Sequence, residues 1–166
     1  MEKLENQPCP VCRKKTLVLS EEEIDIPYFG KTYLFSMACT NCKYSKSDVE
    51  AEEMKEPCRI TFEVQKEEDM KVRVVKSSEG SIKIPQLRMS VESGPASDGY
   101  ISNIEGLLTR FEKIIEDERD LAEDDGVKTH AKNLLKKIRN VKLGEMPIKV
   151  IIEDPTGNSA IISDRA

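Results

Sequence analysis

The sequence predicts a mainly β protein in two parts, with one pair of helices set into the second part. Three observations predict it. Two C-x2-C pairs frame residues 9 to 42. Short segments of period-two alternation follow, separated by turn residues. One stretch, from about 102 to 142, then changes to the helical period.

The chain has 166 residues, enough for one ordinary domain or two small ones. It is 34% charged and 38% apolar, with a net charge of -5. These values suit a folded globular chain. They argue against disorder and against a general nucleic-acid binder, which is usually basic. With four Phe, four Tyr and no Trp, the core must be aliphatic. No apolar run approaches the roughly 18 residues that suggest a membrane span. The opening MEKLENQP lacks the apolar centre of a secretory signal. The expected compartment is the cytoplasm, where cysteine pairs more often bind metal or do redox chemistry than form disulfides.

The first element is the cysteine framework C-x2-C-x26-C-x2-C: Cys9, Cys12, Cys39 and Cys42. Two residues between cysteines let one tight turn aim both sulfurs at one ion. Two such turns complete a tetrahedron of thiolates about 2.3 Å from zinc. A redox motif wants a single C-x-x-C beside a βαβ pattern. Here there are two, and TLVLSEEEIDI, PYFG and KTYLFSMA between them read as strand, turn, strand. A hairpin leaving the first pair and returning to the second closes the site. Four protein ligands leave no open position, so one structural Zn2+ is expected. Binding at such sites supplies on the order of 10–16 kcal/mol of apparent free energy to a unit with little core. Arg13, Lys14, Lys15 and Lys43 flank the pairs and offset the thiolate charge. Cys58 is left over and reads as a small buried apolar residue.

The acidic stretch EAEEMKEP, residues 50 to 57, marks the expected boundary. It divides a zinc ribbon over 1–57 from a β domain over 58–166. In the latter, Ile60, Phe62 and Val64 alternate, as do Met70, Val72 and Val74, then Ile82 and Ile84, then Leu87, Met89 and Val91. Evenly spaced short strands of this kind predict an antiparallel sandwich or barrel. SGPASDGY at 93–100 reads as a loop.

In SNIEGLLTRFEKIIED, residues Ile104, Leu107, Leu108, Phe111, Ile114 and Ile115 form a helical stripe. Ser102 and Glu105 match a capping box at its start. Gly106 costs about 1 kcal/mol in a helix relative to Ala, or marks a close backbone approach. A second helix aligns Val127, Ala131, Leu134, Leu135, Ile138 and Val141, with Gly144 as its stop. Glu105 to Asp125 carries nine acidic and three basic residues, while Val127 to Lys142 carries six basic and none acidic. The two helices attract one another as a hairpin, or the basic one docks an acidic partner. Both readings stay open. The final IKVIIE, DPTG and NSAII read as a strand hairpin around a type I turn of Asp154, Pro155 and Gly157.

Catalysis is not expected. One histidine, His130, cannot build a multi-His site, and GxSxG, GxxxxGK[ST] and HExxH are absent.

Taken together, the cysteine spacing, NIEGLL at 103–108, EDPTGNS at 153–159 and VVKSSEGSIKIPQL at 74–87 resemble the ZPR-one zinc-finger domain family. The resemblance covers nearly the whole chain in the right order. It implies a zinc ribbon beside a double-stranded β-helix, or jelly-roll-like, domain carrying an inserted antiparallel helical hairpin. It carries zinc ligation onto Cys9, Cys12, Cys39 and Cys42. It also implies a protein partner, translation elongation factor one-alpha, whose folding eukaryotic members assist. Those members carry two tandem modules; one module resembles the archaeal form. The threonine pair usual before EGLL is Ser102-Asn103-Ile104 here. Contact with the partner is expected around Glu105 and Gly106 and around Asp154, Gly157 and Asn158. The alternative is a zinc-ribbon nucleic-acid binder in transcription or translation.

Overall fold

A computed structural model describes residues 1–27, 29–95 and 97–166. The expected turn at 27–30 and loop at 93–100 each include one position outside that range, Tyr28 and Ala96.

The first part is a four-stranded antiparallel sheet in the order β1-β2-β3-β4: β1 (Glu2–Gln7), β2 (Leu17–Ile26), β3 (Gly30–Cys39) and β4 (Ser45–Ala51). The β2–β3 hairpin pairs Leu17 with Cys39 and Ile26 with Gly30, and so returns the chain to its cysteines. The outer strands, EKLENQ and SKSDVEA, carry few apolar residues and no clean alternation. Neither carries a strand signal in the sequence. Charge along an edge strand is a common protection against unwanted pairing.

The second part contains β5 (Cys58–Val64), β6 (Arg73–Lys76), β7 (Ser81–Ile84), β8 (Met89–Val91), β9 (Tyr100–Asn103), α1 (Ile104–Leu121), α2 (Asp125–Lys142), β10 (Ile148–Asp154) and β11 (Ala160–Ile161). Its strands form two antiparallel sheets, β5-β10-β7-β8 and β11-β6-β9. Register places Ile60, Ile152, Ile82 and Val91 in one row across the larger sheet. This row, Phe62, Val64, Val74, Ile84, Ile148 and Val150 join the inner stripes of both helices in one aliphatic core. Ile104, Leu107, Leu108, Phe111 and Ile115 supply the α1 stripe, and Ala131, Ile138 and Val141 that of α2. Ile114 and Val127, expected on these stripes, are exposed. The stop of α2 is a Schellman motif: Glu145 N–H donates to Asn140 O (2.9 Å) and Gly144 N–H to Val141 O (3.0 Å), with Gly144 at φ +76°.

Three local expectations are corrected. Met70, Val72 and Val74 do not alternate along one strand. The Asp69 carboxylate accepts from Gln65 N–H (2.9 Å) and Lys66 N–H (3.2 Å), which winds Glu67–Lys71 into a 3-10 turn before β6 begins. The α1 cap is Asn103, whose Oδ1 accepts from Gly106 N–H at 2.7 Å; Ser102 lies in β9 instead. The DPTG turn does not close a hairpin. β10 belongs to the larger sheet and β11 to the smaller, so the turn is a corner that carries the chain between sheets.

β6 is the hinge of the packing between the two parts. Val74 points into the large core, and Val75 joins Ile26 and Val49 of the first sheet in a separate buried cluster. Ile24, Phe29, Leu34, Ile101, Ala160 and Ile162 pack around that cluster. Polar contacts continue the seam. Ser78 N–H and Oγ–H donate to the two oxygens of Asp48 (2.8 and 2.7 Å), and Gly99 N–H donates to Ser47 O (2.8 Å). The edge of β4 is thus covered.

Val49→Asp would bury an unpaired charge in this seam. The expected outcome is a loss of about 3 kcal/mol or more in urea unfolding, with faster proteolysis within residues 52–57.

Candidate metal centre and the predicted contact residues

The two cysteine turns share their backbone hydrogen bonds and differ in which amide reaches the sulfur. In the first, Arg13 N–H donates to Cys9 O (2.9 Å), Cys9 N–H to Lys14 O (2.9 Å) and Val11 N–H to Cys9 Sγ (3.4 Å). In the second, Lys43 N–H donates to Cys39 O (3.2 Å), Cys39 N–H to Tyr44 O (2.8 Å) and Cys42 N–H to Cys39 Sγ (3.4 Å). Each turn closes through a residue in the left-handed region, Arg13 at φ 62° and Lys43 at φ 64°. Such a conformation costs a non-glycine residue about 1 kcal/mol or more. Lys43 Nζ donates to Thr40 O at 3.4 Å, which keeps its cation on the second turn.

The sulfurs of Cys9, Cys12, Cys39 and Cys42 all lie within 4.8 Å of one another. Cys9 and Cys42 are 3.6 Å apart, and Cys12 and Cys39 3.7 Å. Thiolates about 2.3 Å from zinc lie about 3.8 Å apart along the edges of a tetrahedron, so the cluster has the size the ion needs. An all-sulfur donor set also matches zinc's preference. These four cysteines are positioned to bind one zinc ion. Leu17, Leu19, Met37 and Tyr44 form the apolar wall beneath them.

Thr16 is a member of the site that spacing did not reveal. Its Oγ1 lies 3.1 Å from Cys39 Sγ and 3.9 Å from Cys12 Sγ. With this hydroxyl as the main cause, Cys39 is lowered to about 6. Cys42 moves the other way. The Tyr44 backbone lowers it, but burial and the neighbouring sulfurs push it up to about 11. The only sign of Thr16 in the sequence is its place at the mouth of β2.

Cys58 stands apart. Its Sγ–H donates to Ser159 O at 3.7 Å, and burial followed by the Asp154 charge pushes its thiol up. It lies outside the four-sulfur cluster.

The predicted contact residues fall at opposite ends of β6. Asn103, at the head of α1, pairs with Arg73 where β6 begins; Asp154 bonds Ser77 just past its end. Glu105 is exposed on the first turn of α1. A Cβ at Gly106 would lie 2.0 Å from Ser102 Oγ and 3.3 Å from the capping Asn103 Oδ1, so a side chain there would have to turn the serine hydroxyl aside. Asp154 is buried. Its Oδ2 accepts from Ser77 Oγ (2.6 Å) and Ser159 Oγ (2.5 Å), its Oδ1 from Thr156 N (2.8 Å) and Oγ1 (2.7 Å). Gly157 sits at φ +72°, where a Cβ would lie 2.1 Å from Glu56 O. Asn158 Oδ1 accepts from Ala51 N at 3.3 Å. The corner therefore stitches the two sheets together and clamps the segment leading from β4. Its buried carboxylate offers a partner no free surface.

A four-sulfur site on a β ribbon, packed against a jelly roll with a helical hairpin, defines a zinc-ribbon protein. Residues 1–56 match the ZPR1 zinc-finger domain, and residues 68–166 match the ZPR1 jelly-roll domain. The chain belongs to the ZPR1 family. A ZPR1-like protein of Methanocaldococcus jannaschii is 38% identical over 165 residues, covering 99% of this chain and 83% of that protein. One from Pyrococcus horikoshii is 38% identical over 161 residues, covering 95% and 72%. The zinc finger chaperone zpr1 of Schizosaccharomyces pombe is 29% identical over 140 residues, which is 82% of this chain but 30% of that longer protein.

Elemental analysis of the purified chain should find one zinc per molecule. Cys39→Ser should lose that zinc and collapse the ribbon amides in an NMR spectrum. The Asp154 carboxyl provides a pH test. Burial raises it, but the bonds from Ser159, Ser77 and Thr156 outweigh burial and hold it below the usual range. A depressed folded pKa stabilises the protein above the unfolded value of about 3.9 and loses that contribution as pH falls through the folded value. Asp154→Asn should cost about 1.5–3 kcal/mol at neutral pH, and its deficit in thermal unfolding should shrink below about pH 4.

Proposed function

We propose that this chain is a zinc-stabilised protein-binding module that assists the folding or biogenesis of translation elongation factor one-alpha. It acts in the cytoplasm and without catalysis. The observation that carries the reading is the match of both halves of the chain to the two ZPR1 domains, with a relative named as a zinc finger chaperone. A chaperone of this kind needs a rigid surface and no reactive centre. Four protein ligands close the metal site, and His130, the sole histidine, is exposed on α2. No helix among the described residues is long and apolar enough to cross a membrane.

A second reading, nucleic-acid binding, draws support from α2. Lys132, Lys136, Lys137 and Arg139 are exposed, and α2 beyond Asp125 carries no acid. The net charge of -5 opposes it.

The test is capture of newly synthesised elongation factor one-alpha on the immobilised, zinc-loaded chain. Enrichment over unrelated GTPases supports the first reading, and equal recovery rejects it. Association with RNA or DNA that weakens steeply with added salt would favour the second.

A further inference from the structure

The sheet of the ribbon has two faces, and one of them packs on the second part of the molecule. Ile24, Ile26, Leu34 and Val49 lie on the face that packs against β6 and β11. The opposite face carries Leu17 and Cys39 over the metal site, and beyond them an apolar strip. Register sets Leu4, Leu19 and Met37 in a row across β1, β2 and β3. Phe35 and Tyr33 extend the strip along β3, their rings stacked with centroids 6.3 Å apart. Leu4 is 61% exposed and Phe35 37%. A depression of about 310 Å3 opens there, lined by Leu19, Phe35, Met37, Lys46 and Asp48 among others. A contiguous apolar patch left in water marks an interaction site more often than a lone exposed residue does.

The rim says what kind of partner fits. Register puts Glu2 and Glu21 beside Phe35, and Glu23 and Glu50 on either side of Tyr33. Two cations share the face. Lys46 stands opposite Met37, and Lys31 is held by Glu23 (3.2 Å) and Glu52 (3.5 Å). Among the described residues, Glu2, Glu21 and Glu50 make no ion pair. An apolar strip inside a ring of carboxylates repels nucleic acid and anionic lipid alike. A second copy of the chain fits poorly as well. Its basic helix α2 turns Ala131, Ile138 and Val141 into its own core, and its exposed apolar residues, Val127 and the capping Leu143, stand at opposite ends and form no strip.

We propose that this face docks a cationic apolar segment of a partner protein, one with large aliphatic side chains flanked by Lys or Arg. The proposal deepens the reading of the chain as a protein-binding module by giving the partner a docking face. Buried aliphatic and aromatic contacts supply most of the affinity, and the carboxylates select the partner and speed its approach.

The experiment titrates the zinc-loaded full chain with a synthetic peptide of alternating Leu and Lys, and separately with its Leu/Glu counterpart. Amide NMR shifts are the readout. The Leu/Lys peptide should shift Leu4, Leu19, Phe35 and Met37, and the Leu/Glu peptide should not. Phe35→Ser, whose ring is already exposed, should keep its zinc and weaken binding about tenfold. Glu21→Lys should weaken it in the same direction. Shifts centred on the acidic outer side of α1, equal binding of both peptides, self-association in place of binding, or an unchanged affinity in Phe35→Ser would each overturn the proposal. No elongation factor enters this measurement. Its failure therefore leaves the preceding capture experiment to stand or fall by itself.

Discussion

Four sulfurs within 4.8 Å of one another cannot all carry charge unless a cation sits among them. The cysteine end of the first part of the molecule follows from that constraint, while Ile26 and Val49 at its other end pack on β6. The unit has a small core beneath the cluster, with Leu17, Cys9 and Cys39 as its buried members. Burial of a few side chains at about 25 cal/mol per Å2 is little against the entropy of ordering some fifty residues. The ion supplies the difference, and the ladder from β1 to β4 fixes where the sulfurs stand. Two left-handed residues, the amide bonds to sulfur and the Thr16 hydroxyl all converge on the same few ångströms.

The second part of the molecule is held by ordinary means. Its core is aliphatic, continuous from the larger sheet through β6 to both helices. The polar devices sit at its margins. Asp69, lowered because bonds from Gln65 and Lys66 and the Arg165 charge outweigh burial, shapes the entry to β6 and holds the final turn of the chain. Asp154 shapes the exit. A short strand with buried side chains on both faces needs such anchors, because its own ladder is only four residues long.

Much of this was legible in the sequence for physical reasons. The cysteine spacing, the β2–β3 hairpin and the two helical stripes are local patterns with a fixed period, and each names its own geometry. β1 and β4 were missed because edge strands hide behind charge. The strand at 70–74 was misread because Asp69, paired with Arg165 far along the chain, takes the Gln65 and Lys66 amides and winds the backbone there. The DPTG corner was misread for a similar reason. The turn type is local, but whether the flanking strands pair with one another is decided by the rest of the sheet. At the metal site the ligands were plain, and Thr16 was hidden because one hydroxyl near a strand has no pattern. The expected contact residues at 154–158 turned out to bind the molecule to itself.

β6 serves two masters. Val74 belongs to the interior of the jelly roll, and the next residue, Val75, belongs to the packing against the ribbon. Neither interior can loosen without unsettling the other through a single peptide unit. A ribbon that came apart would withdraw the packing beneath Val75, and with it one flank of the strand whose other flank the helices lean on.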